Sequence, residues 1–241
     1  MTISIIVLLL TFIFLLSFNI PIALAIGVST TLSMIVSIPI APALTTIAQQ
    51  MATGINSFAL LAIPFFILSG YIMAQGGIAN RLINFAKVIV SSFPGGLAYV
   101  NIIACMFFGA ISGSAAAATS AVGGVMIPSM NKEGYDKNFN TALTVTASTT
   151  GLLIPPSNIL IIYSLASGGV SISALFIAGY IPGLLIGLSL IFVSMIMARI
   201  NNYPSGLRYD LKDIISRSFK ALPSLLLIYI VIGGIIKGIF T

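Results

Sequence analysis

The sequence predicts an all-α polytopic membrane protein, with transmembrane helices, one re-entrant helical hairpin and one helix broken by a Pro-Pro pair. Three observations predict it. Of the 241 residues, 59% are hydrophobic and only 6% are charged, against roughly 25% charged in a soluble domain. The charges gather in three short stretches: Arg81 with Lys87; Lys132, Glu133, Asp136 and Lys137; and Arg199, Arg208, Asp210, Lys212, Asp213, Arg217 and Lys220, with Lys237 standing apart. Two interruptions, Gly109–Ser114 and Ile154–Asn158, put irregular backbone and small hydroxyl or amide side chains at membrane depth. Such backbone is tolerated there only when it is buried in protein or lines a wet cavity.

Composition narrows the function further. The net charge is +6, which in a soluble chain would suggest nucleic acid. Here the cations sit in short loops, so the positive-inside rule is the better account and nucleic acid is not expected as a partner. There is one cysteine, Cys105, and no histidine or tryptophan. Cys105 lies in an apolar run and reads as a small buried hydrophobe. The apolar N-terminal run has no positive leader and no cleavage site, so it reads as a retained span. The three charged groups are placed in the cytoplasm, as loops near 81–92, 131–137 and 199–220. The uncharged stretches Ile38–Asn56 and Ser167–Ser173 and the N-terminus are then extracytoplasmic.

Residues 1–56 contain two spans and an outer arm. Thr2–Phe18 and Ile22–Ile38 are each apolar, and Asn19-Ile20-Pro21 separates them because proline removes a donor and restrains the residue before it. Leu44, Ile47, Met51 and Ile55 recur at helical spacing opposite Gln49, Gln50 and Thr53, as on a helix lying in the interface. Residues 57–92 give an inward span, Phe58–Met73, with a kink expected at Pro64. A cytoplasmic amphipathic helix follows, with Ile78, Leu82, Phe85 and Ile89 on one face and Asn80, Arg81, Asn84 and Lys87 on the other.

Residues 93–131 form the hairpin. Each arm of Pro94–Ser129 is about 15 residues, roughly 22 Å of helix, short of a hydrocarbon core of roughly 30 Å. Gly109, Gly113 and Ala117, and also Ser112, Ala116, Ser120 and Gly124, recur every four residues and would let helices approach closely. Two thin, tightly packed full spans are the other reading, and charge parity does not separate them, since both return the chain to the same side. Residues 132–169 hold the broken helix, in which Pro155 and Pro156 leave the carbonyls of Gly151 and Leu152 without their usual donors. Residues 170–200 cross inward. Residues 201–220 are a cytoplasmic linker, and residues 221–241 begin another span. Lys237, near the end of that span, reads first as a snorkelling residue and second as a functional intramembrane charge.

Every carboxylate lies in a cytoplasmic loop, so this chain offers no proton relay through its spans. It offers neutral oxygens instead: broken-helix carbonyls, Ser112, Ser114, Ser157 and the Asn158 amide. Carbonyls at half-helix C-termini suit Na⁺, and half-helix N-termini suit anionic groups. A Na⁺ site is therefore expected between the hairpin tip and the Pro-Pro break, although any one of these hydroxyls taken singly is expected to bond back to its own helix. Asn158, Ser112, Thr149 and Thr150 are the candidate substrate-pathway residues. The hydroxyl run Thr141, Thr144, Thr146, Ser148, Thr149 and Thr150 reads first as helix packing and second as an extension of that path. No enzyme signature occurs: there is no metal-ligand cluster, nucleophile–base pair or phosphate loop.

Several stretches, in order along the chain, resemble the large membrane subunit of tripartite ATP-independent periplasmic (TRAP) transporters. They are Ser57–Gly70, Gly76–Ala79, Phe108–Ala115 (FGAISGSA), Ile127-Pro128, Gly134–Asp136, Ile154–Ser157 (IPPS) and Ala178–Gly183. The resemblance implies one half of an inverted-repeat elevator transporter in a bacterial inner membrane. It implies Na⁺-coupled import of an organic acid such as a C4-dicarboxylate or sialic acid. It also implies three partners: an extracytoplasmic substrate-binding protein, a small membrane subunit and the second half of the large subunit. By the same resemblance the Na⁺ site falls on Ser112, Gly113, Ser114, Pro155, Pro156 and Ser157. The family's large subunit is nearly twice this length, and the FGAISGS-like motif occurs once here, so a fragment or one piece of a split subunit is expected. Half of another hairpin-containing anion or ion transporter, and a non-transporting membrane scaffold, are the alternatives.

Overall fold

Proline, glycine and short hydroxyl side chains set where these apolar helices start and stop. The computed structural model describes residues 2–56, 58–206 and 209–236, so Ser57, Arg208 and Lys237 fall outside the described residues. Among the described residues the chain is all-helical, apart from an isolated bridge between Pro94 and Ser205. It divides into two units, Met1–Phe58 and Ala59–Thr241.

The first unit holds α1 (Thr2–Ser17), α2 (Ile22–Ser37) and α3 (Ile40–Ile55). Pro21 and Pro39 stand at the N-caps of α2 and α3, where a missing N–H costs no intrahelical bond. The first two helices run antiparallel: the Ser33 hydroxyl donates to the Ser4 carbonyl at 2.8 Å, and the Ser4 and Ser37 hydroxyls lie 2.6 Å apart. Ala25, Ser29 and Ser33 form the buried stripe of α2. Both helices have 16 residues, about 24 Å, so each falls short of the full span expected for it. The helix expected from the spacing after Pro39 forms as α3.

A 3₁₀ turn, Phe58–Leu61, spans the division and leads into α4 (Ala62–Gln75) of the second unit. Pro64 sits in the first turn of α4, where its nitrogen needs no partner. The chain bends by 67° between α4 and α5 (Ile78–Val90). Gly77 makes this turn in the left-handed region, at φ 73°. The buried face of α5 is Ala79, Leu82, Ile83 and Ala86, while Ile89 is exposed. The docked face keeps most of the expected one: Leu82 is buried, Ile78 packs against the core and the Phe85 ring lies 6.0 Å from that of Phe107, while Ile89 alone turns outward and Ala79, Ile83 and Ala86 widen the face.

The rest of the unit is α6 (Gly96–Ser112), α7 (Ala115–Lys132), α8 (Lys137–Thr149) with a 3₁₀ turn at Thr150–Leu152, α9 (Asn158–Ala166), α10 (Ile172–Ile200) and α11 (Leu211–Ile236). Helix α6 is the centre of the core, with thirteen of its 17 residues buried. Leu82, Ile102, Phe108, Val122, Met126 and Met130 fill the space around it. Helix α7 runs 18 residues, through Pro128 to Lys132, past the expected end. The two arms are about 26 and 27 Å long, so they are short, as the sequence suggested. Helix α7 buries Ala118, Val122, Met126 and Met130. Ala116, Ser120 and Gly124 are exposed, so the close approach their spacing would allow is not used within this unit.

Among the described residues two helices, Ile172–Ile200 and Leu211–Val231, are long and apolar enough to cross a membrane, or three if the bent pair α4–α5 counts as one span. The expected linker 201–220 is helical from Leu211 onward, which shortens it. The Asp210 carboxylate accepts from the Leu211 N–H at 2.8 Å and Asp213 lies in the first turn, and both favour a helix start there. The three charged stretches collect at one end of this unit. Tyr135 stacks on Tyr203 at 4.2 Å, the Asp136 N–H donates to the Tyr203 hydroxyl at 3.3 Å, and the Gly95 N–H donates to the Pro204 carbonyl at 3.1 Å. Burial, the largest cause, pushes the Tyr135 phenol up from its ordinary pKa.

Candidate functional site

The two interruptions meet at the end of the unit opposite the charged stretches. At the tip, Gly113 caps α6 in the left-handed region at φ 62°, and its N–H donates to the Gly109 carbonyl at 2.7 Å. A side chain there would be strained, which is why glycine ends this helix. Ser114 is extended and begins α7, its hydroxyl oxygen accepting from the Ala117 N–H at 3.3 Å.

At the break, α8 tightens into the 3₁₀ turn. The Thr150 carbonyl takes the N–H groups of Leu153 and Ile154 at 3.1 and 3.0 Å. A cis bond joins Pro155 and Pro156. Ser157 is extended and opens α9, and its hydroxyl donates to the Leu152 carbonyl. That bond supplies one of the carbonyls that the prolines deprive of a donor.

Gly113 brings the two together. A β-carbon on it would lie 3.1 Å from the Asn158 nitrogen, 3.2 Å from the Pro156 carbonyl oxygen and 3.4 Å from the Ser157 Cα. One turn back, a β-carbon on Gly109 would come within 2.5 Å of the Gly151 Cα, so the two backbones touch. Two more helices press on this junction. Gly70 of α4 lies against Ser112, its absent β-carbon 3.2 Å from the Ser112 Cβ. Gly179 and Gly183 of α10 lie against Leu153 and Ile154, where any β-carbon would clash at 2.3 Å with the Leu153 carbonyl oxygen and at 2.5 Å with Ile154 Cγ1. Glycine at these five contacts is what lets irregular backbone be enclosed by helices.

Each expected site residue can now be placed. Ser112 and Ser157 are fully buried, and Asn158 is 8% exposed. Ser112, Gly113, Ser114, Pro155, Pro156, Ser157 and Asn158 all belong to the tip or the break. The Ser112 hydroxyl is held loosely, at 3.4 Å from both the Ser114 nitrogen and the Ser114 carbonyl oxygen. The Asn158 Oδ1 is buried and makes no hydrogen bond among the described residues, in a setting where an unmet acceptor is unfavourable. Thr150 is buried with its hydroxyl on the Ala147 carbonyl at 2.6 Å. Thr149 is exposed, bonded to the Thr146 carbonyl at 2.7 Å, and is not part of the junction. The hydroxyl run divides the same way: Thr141 and Thr146 are exposed, whereas Thr144 and Ser148 are buried. All four bond back to their own helix.

The chemistry available is that of neutral oxygens between helix ends of both polarities. The C-terminal ends of α6 and of the 150–152 turn carry partial negative charge, and the N-terminal ends of α7 and α9 carry partial positive charge. Among the described residues no group of three His, Cys, Asp or Glu could hold a metal ion. A hard cation needing only carbonyl, hydroxyl and amide oxygens fits this donor set, and the uncommitted Asn158 Oδ1 is its clearest acceptor.

Sequence reasoning did not single out the contacts that hold α6 against α8. The buried Asn101 amide donates to Thr144 Oγ1 at 2.7 Å, and the Cys105 thiol lies 3.5 Å from both Asn101 Oδ1 and Ser148 Oγ. With the Gly109–Gly151 and Gly113–Asn158 approaches, these contacts form a ladder along α6 at residues 101, 105, 109 and 113. Fourfold spacing was the signal available, because such residues share one helical face.

The family model of the tripartite ATP-independent periplasmic transporter, DctM component, matches residues 9–241. An uncharacterized Salmonella typhimurium protein, YgiK, is 52% identical over 89% of this chain and 49% of its own length. A C4-dicarboxylate TRAP transporter large permease protein of Pseudomonas aeruginosa is 42% identical over 89% of this chain and 50% of its own. A sialic acid TRAP transporter large permease protein of Vibrio cholerae is 41% identical over 80% of this chain and 45% of its own. The chain spans about half the length of the curated relatives it matches.

Proposed function

The chain belongs to the DctM component family of tripartite ATP-independent periplasmic transporters, and from that premise we propose that it forms the first repeat of a Na⁺-coupled importer of an organic acid anion. The observation that carries the proposal is the junction of tip and break. Two half-helix C-termini, two half-helix N-termini and the buried, unpaired Asn158 Oδ1 meet there without any ionised side chain. Na⁺ is assigned to the oxygens of Ser112, Ser157, Asn158 and the helix-end carbonyls. A carboxylate of the solute is assigned to the N-terminal ends of α7 and α9. Relatives named for C4-dicarboxylate and for sialic acid share a carboxylate, which supports an organic acid without choosing one.

The short arms of α6 and α7 support a re-entrant hairpin, since neither reaches across a core of roughly 30 Å. The ladder along α6 and α8 supports tip and break moving together as one elevator body. The gathered charged stretches support a cytoplasmic placement of that end in the bacterial inner membrane, with the N-terminus outside. A small membrane subunit, an extracytoplasmic substrate-binding protein and a second repeat complete the assembly in this reading.

Thermal stability of the full-length complex in NaCl against choline chloride tests the proposal, because a ligand stabilises the state that binds it. Na⁺ is expected to raise the Tm, and Ser112→Ala and Ser157→Ala to weaken that rise. A Na⁺ response that both variants leave unchanged would remove the site from this junction. Gly113→Leu does not separate a transporter from a scaffold, because the left-handed φ and the tight contacts of Gly113 make that change disruptive in both.

A further inference from the structure

We infer that the cleft where the ends of α5 and α10 meet the start of α6 binds an anionic membrane phospholipid, with its phosphate on Arg199. The cleft, about 280 Å³, takes Val90, Phe93 and Pro94 from the end of α5 and the turn after it. Tyr99 of α6 and Ile191, Met195 and Arg199 of α10 complete it. It lies at the charged end of the unit, and nothing in the transport reading uses it.

Backbone contacts hold the cleft in shape. Gly95 precedes α6 in the left-handed region at φ 75°, and its N–H donates to the Pro204 carbonyl at 3.1 Å. The Gly206 N–H donates to the Ser91 carbonyl at 2.8 Å. A β-carbon on Gly95 would lie 2.4 Å from the Ala198 Cβ, so the start of α6 is pressed against the end of α10. Among the described residues Arg199 is the one cation lining the cleft, no carboxylate lines it, and Arg199 makes no ion pair. Its guanidinium is therefore open to an oxyanion, and a phosphate can accept two of its N–H groups at once. The Tyr99 hydroxyl oxygen, 3.8 Å from the absent Gly95 β-carbon, carries a further donor.

The apolar half of the site lies on the same face of α10 as the cation. At 3.6 residues per turn, Ile181, Leu188, Phe192 and Met195 all fall within about 40° of Arg199, and all four are exposed. Helix α10 is long and apolar enough to cross a membrane. From Leu188 to Arg199 it rises about 16 Å, near half of a hydrocarbon core of roughly 30 Å, the depth that the acyl chains of one leaflet fill. Side-chain size selects lipid over a further helix on this face. The small residues Gly179, Gly183, Gly187, Ser194 and Ala198 all lie on the buried face of α10. There the glycines and Ala198 meet the hairpin and the break, as packed membrane helices favour. The exposed face carries large apolar side chains instead. A soluble phosphate would leave Phe93, Ile191 and Met195 uncovered. A zwitterionic headgroup would bring an ammonium beside Arg199 with no carboxylate in the cleft to receive it. The fit is to acyl chains joined to a net negative phosphate.

The test is the Tm of the delipidated full-length complex in detergent, titrated with dioleoyl-phosphatidylglycerol, dioleoyl-phosphatidylcholine or glycerol 3-phosphate. Phosphatidylglycerol is expected to raise the Tm by several degrees, and the other two to do little. Arg199→Gln should raise the phosphatidylglycerol concentration needed for half of that shift by about tenfold. Met195→Trp, which fills the cleft at unchanged charge, should raise it as well. Lys132→Gln, which removes a cation at the same end but outside the cleft, should leave it unchanged. The Tm of each variant without lipid reports whether it folds. No response in the wild type means that protein covers the cleft, and overturns the inference. A response that Arg199→Gln leaves unchanged, or an equal response to phosphatidylcholine, overturns the role of the cation. An equal response to glycerol 3-phosphate overturns the lipid. Because the readout needs neither Na⁺ nor solute, failure here is separate from failure of the transport reading.

Discussion

At the hairpin tip the chain passes from one helix to the next through two residues, Gly113 and Ser114; at the Pro-Pro break it takes five, Leu153 to Ser157. The tip is made by backbone. Gly113 supplies a left-handed φ, Gly109 touches Gly151 backbone to backbone, and the local side-chain bonds of Ser112 and Ser114 are 3.3 to 3.4 Å long. The break is made by side chains. Two prolines withhold donors, and Ser157 returns one to the Leu152 carbonyl. The difference teaches that the same outcome, irregular backbone held inside a helical core, can rest on the absence of side chains or on their chemistry. Substitutions should therefore act on folding at the tip and on polar satisfaction at the break.

The largest effect is expected at Gly109. Its absent β-carbon would sit 2.5 Å from the Gly151 Cα, and backbone cannot step aside as a rotamer can. Gly109→Ala should destabilise by about 3 kcal/mol or lead to failure of assembly. Gly124→Ala, on the outward face of α7 with nothing within 4 Å, should be neutral or stabilising by up to about 1 kcal/mol. Thermal unfolding of the two variants side by side measures the contrast, and similar losses would mean that backbone contact is not what holds the tip.

Next comes Asn101, on the same face of α6 but working through its side chain. Asn101→Ala removes the 2.7 Å bond to Thr144 and the acceptor of the Cys105 thiol. A loss of about 1–3 kcal/mol is expected, because Thr144 stays buried. The double variant with Thr144→Val should lose less than the sum of the two singles. Strict additivity would show that the ladder is not a connected network.

These two sites show what the sequence could and could not disclose. The interruptions were legible because proline pairs and glycine–serine clusters break helical periodicity wherever they occur, and Ser112, Gly113 and Ser157 could be named from them alone. Asn101 was not legible, since it sits inside an unbroken helical stretch and its role exists only once α6 lies beside α8. The Gly151 carbonyl was marked by the proline pair, but its approach to Gly109 was not. The facing of α5 was legible in part. Hydrophobic periodicity found Ile78, Leu82 and Phe85, which meet the core, and also Ile89, which does not; Ala79 and Ala86 are buried beside them but are too small to mark a face by their hydrophobicity. The stripe at Ala116, Ser120 and Gly124 shows the converse, since small residues permit close approach and do not require it.

Smaller effects sharpen the contrast between tip and break. Ser114→Ala removes an N-cap acceptor and should cost about 1 kcal/mol, with α7 still starting at the same residue. Ser157→Ala removes a donor from the Leu152 carbonyl and should cost about 1–1.5 kcal/mol. Only the second is expected to alter the protection of backbone amides at 153–158 against hydrogen exchange. Faster exchange at the tip in Ser114→Ala, equal to that at the break in Ser157→Ala, would dissolve the distinction between the two constructions.

The smallest effect separates two adjacent threonines. Thr149 and Thr150 both bond back to carbonyls of α8, at 2.7 and 2.6 Å, but Thr149 is exposed and Thr150 is fully buried beside the break. Thr149→Ala should change stability by no more than about 0.5 kcal/mol, since water can replace the lost bond and no cavity forms. Thr150→Ala should cost about 1–2 kcal/mol, from the lost methyl and the lost hydroxyl bond to the Ala147 carbonyl, which keeps the Thr150 backbone N–H. If Thr149 lined a solute path within the complete transporter, its variant would lower transport while leaving the Tm unmoved. Transport and Tm both unchanged would leave the path to Ser112, Thr150 and Asn158, the buried members of the set read from the sequence.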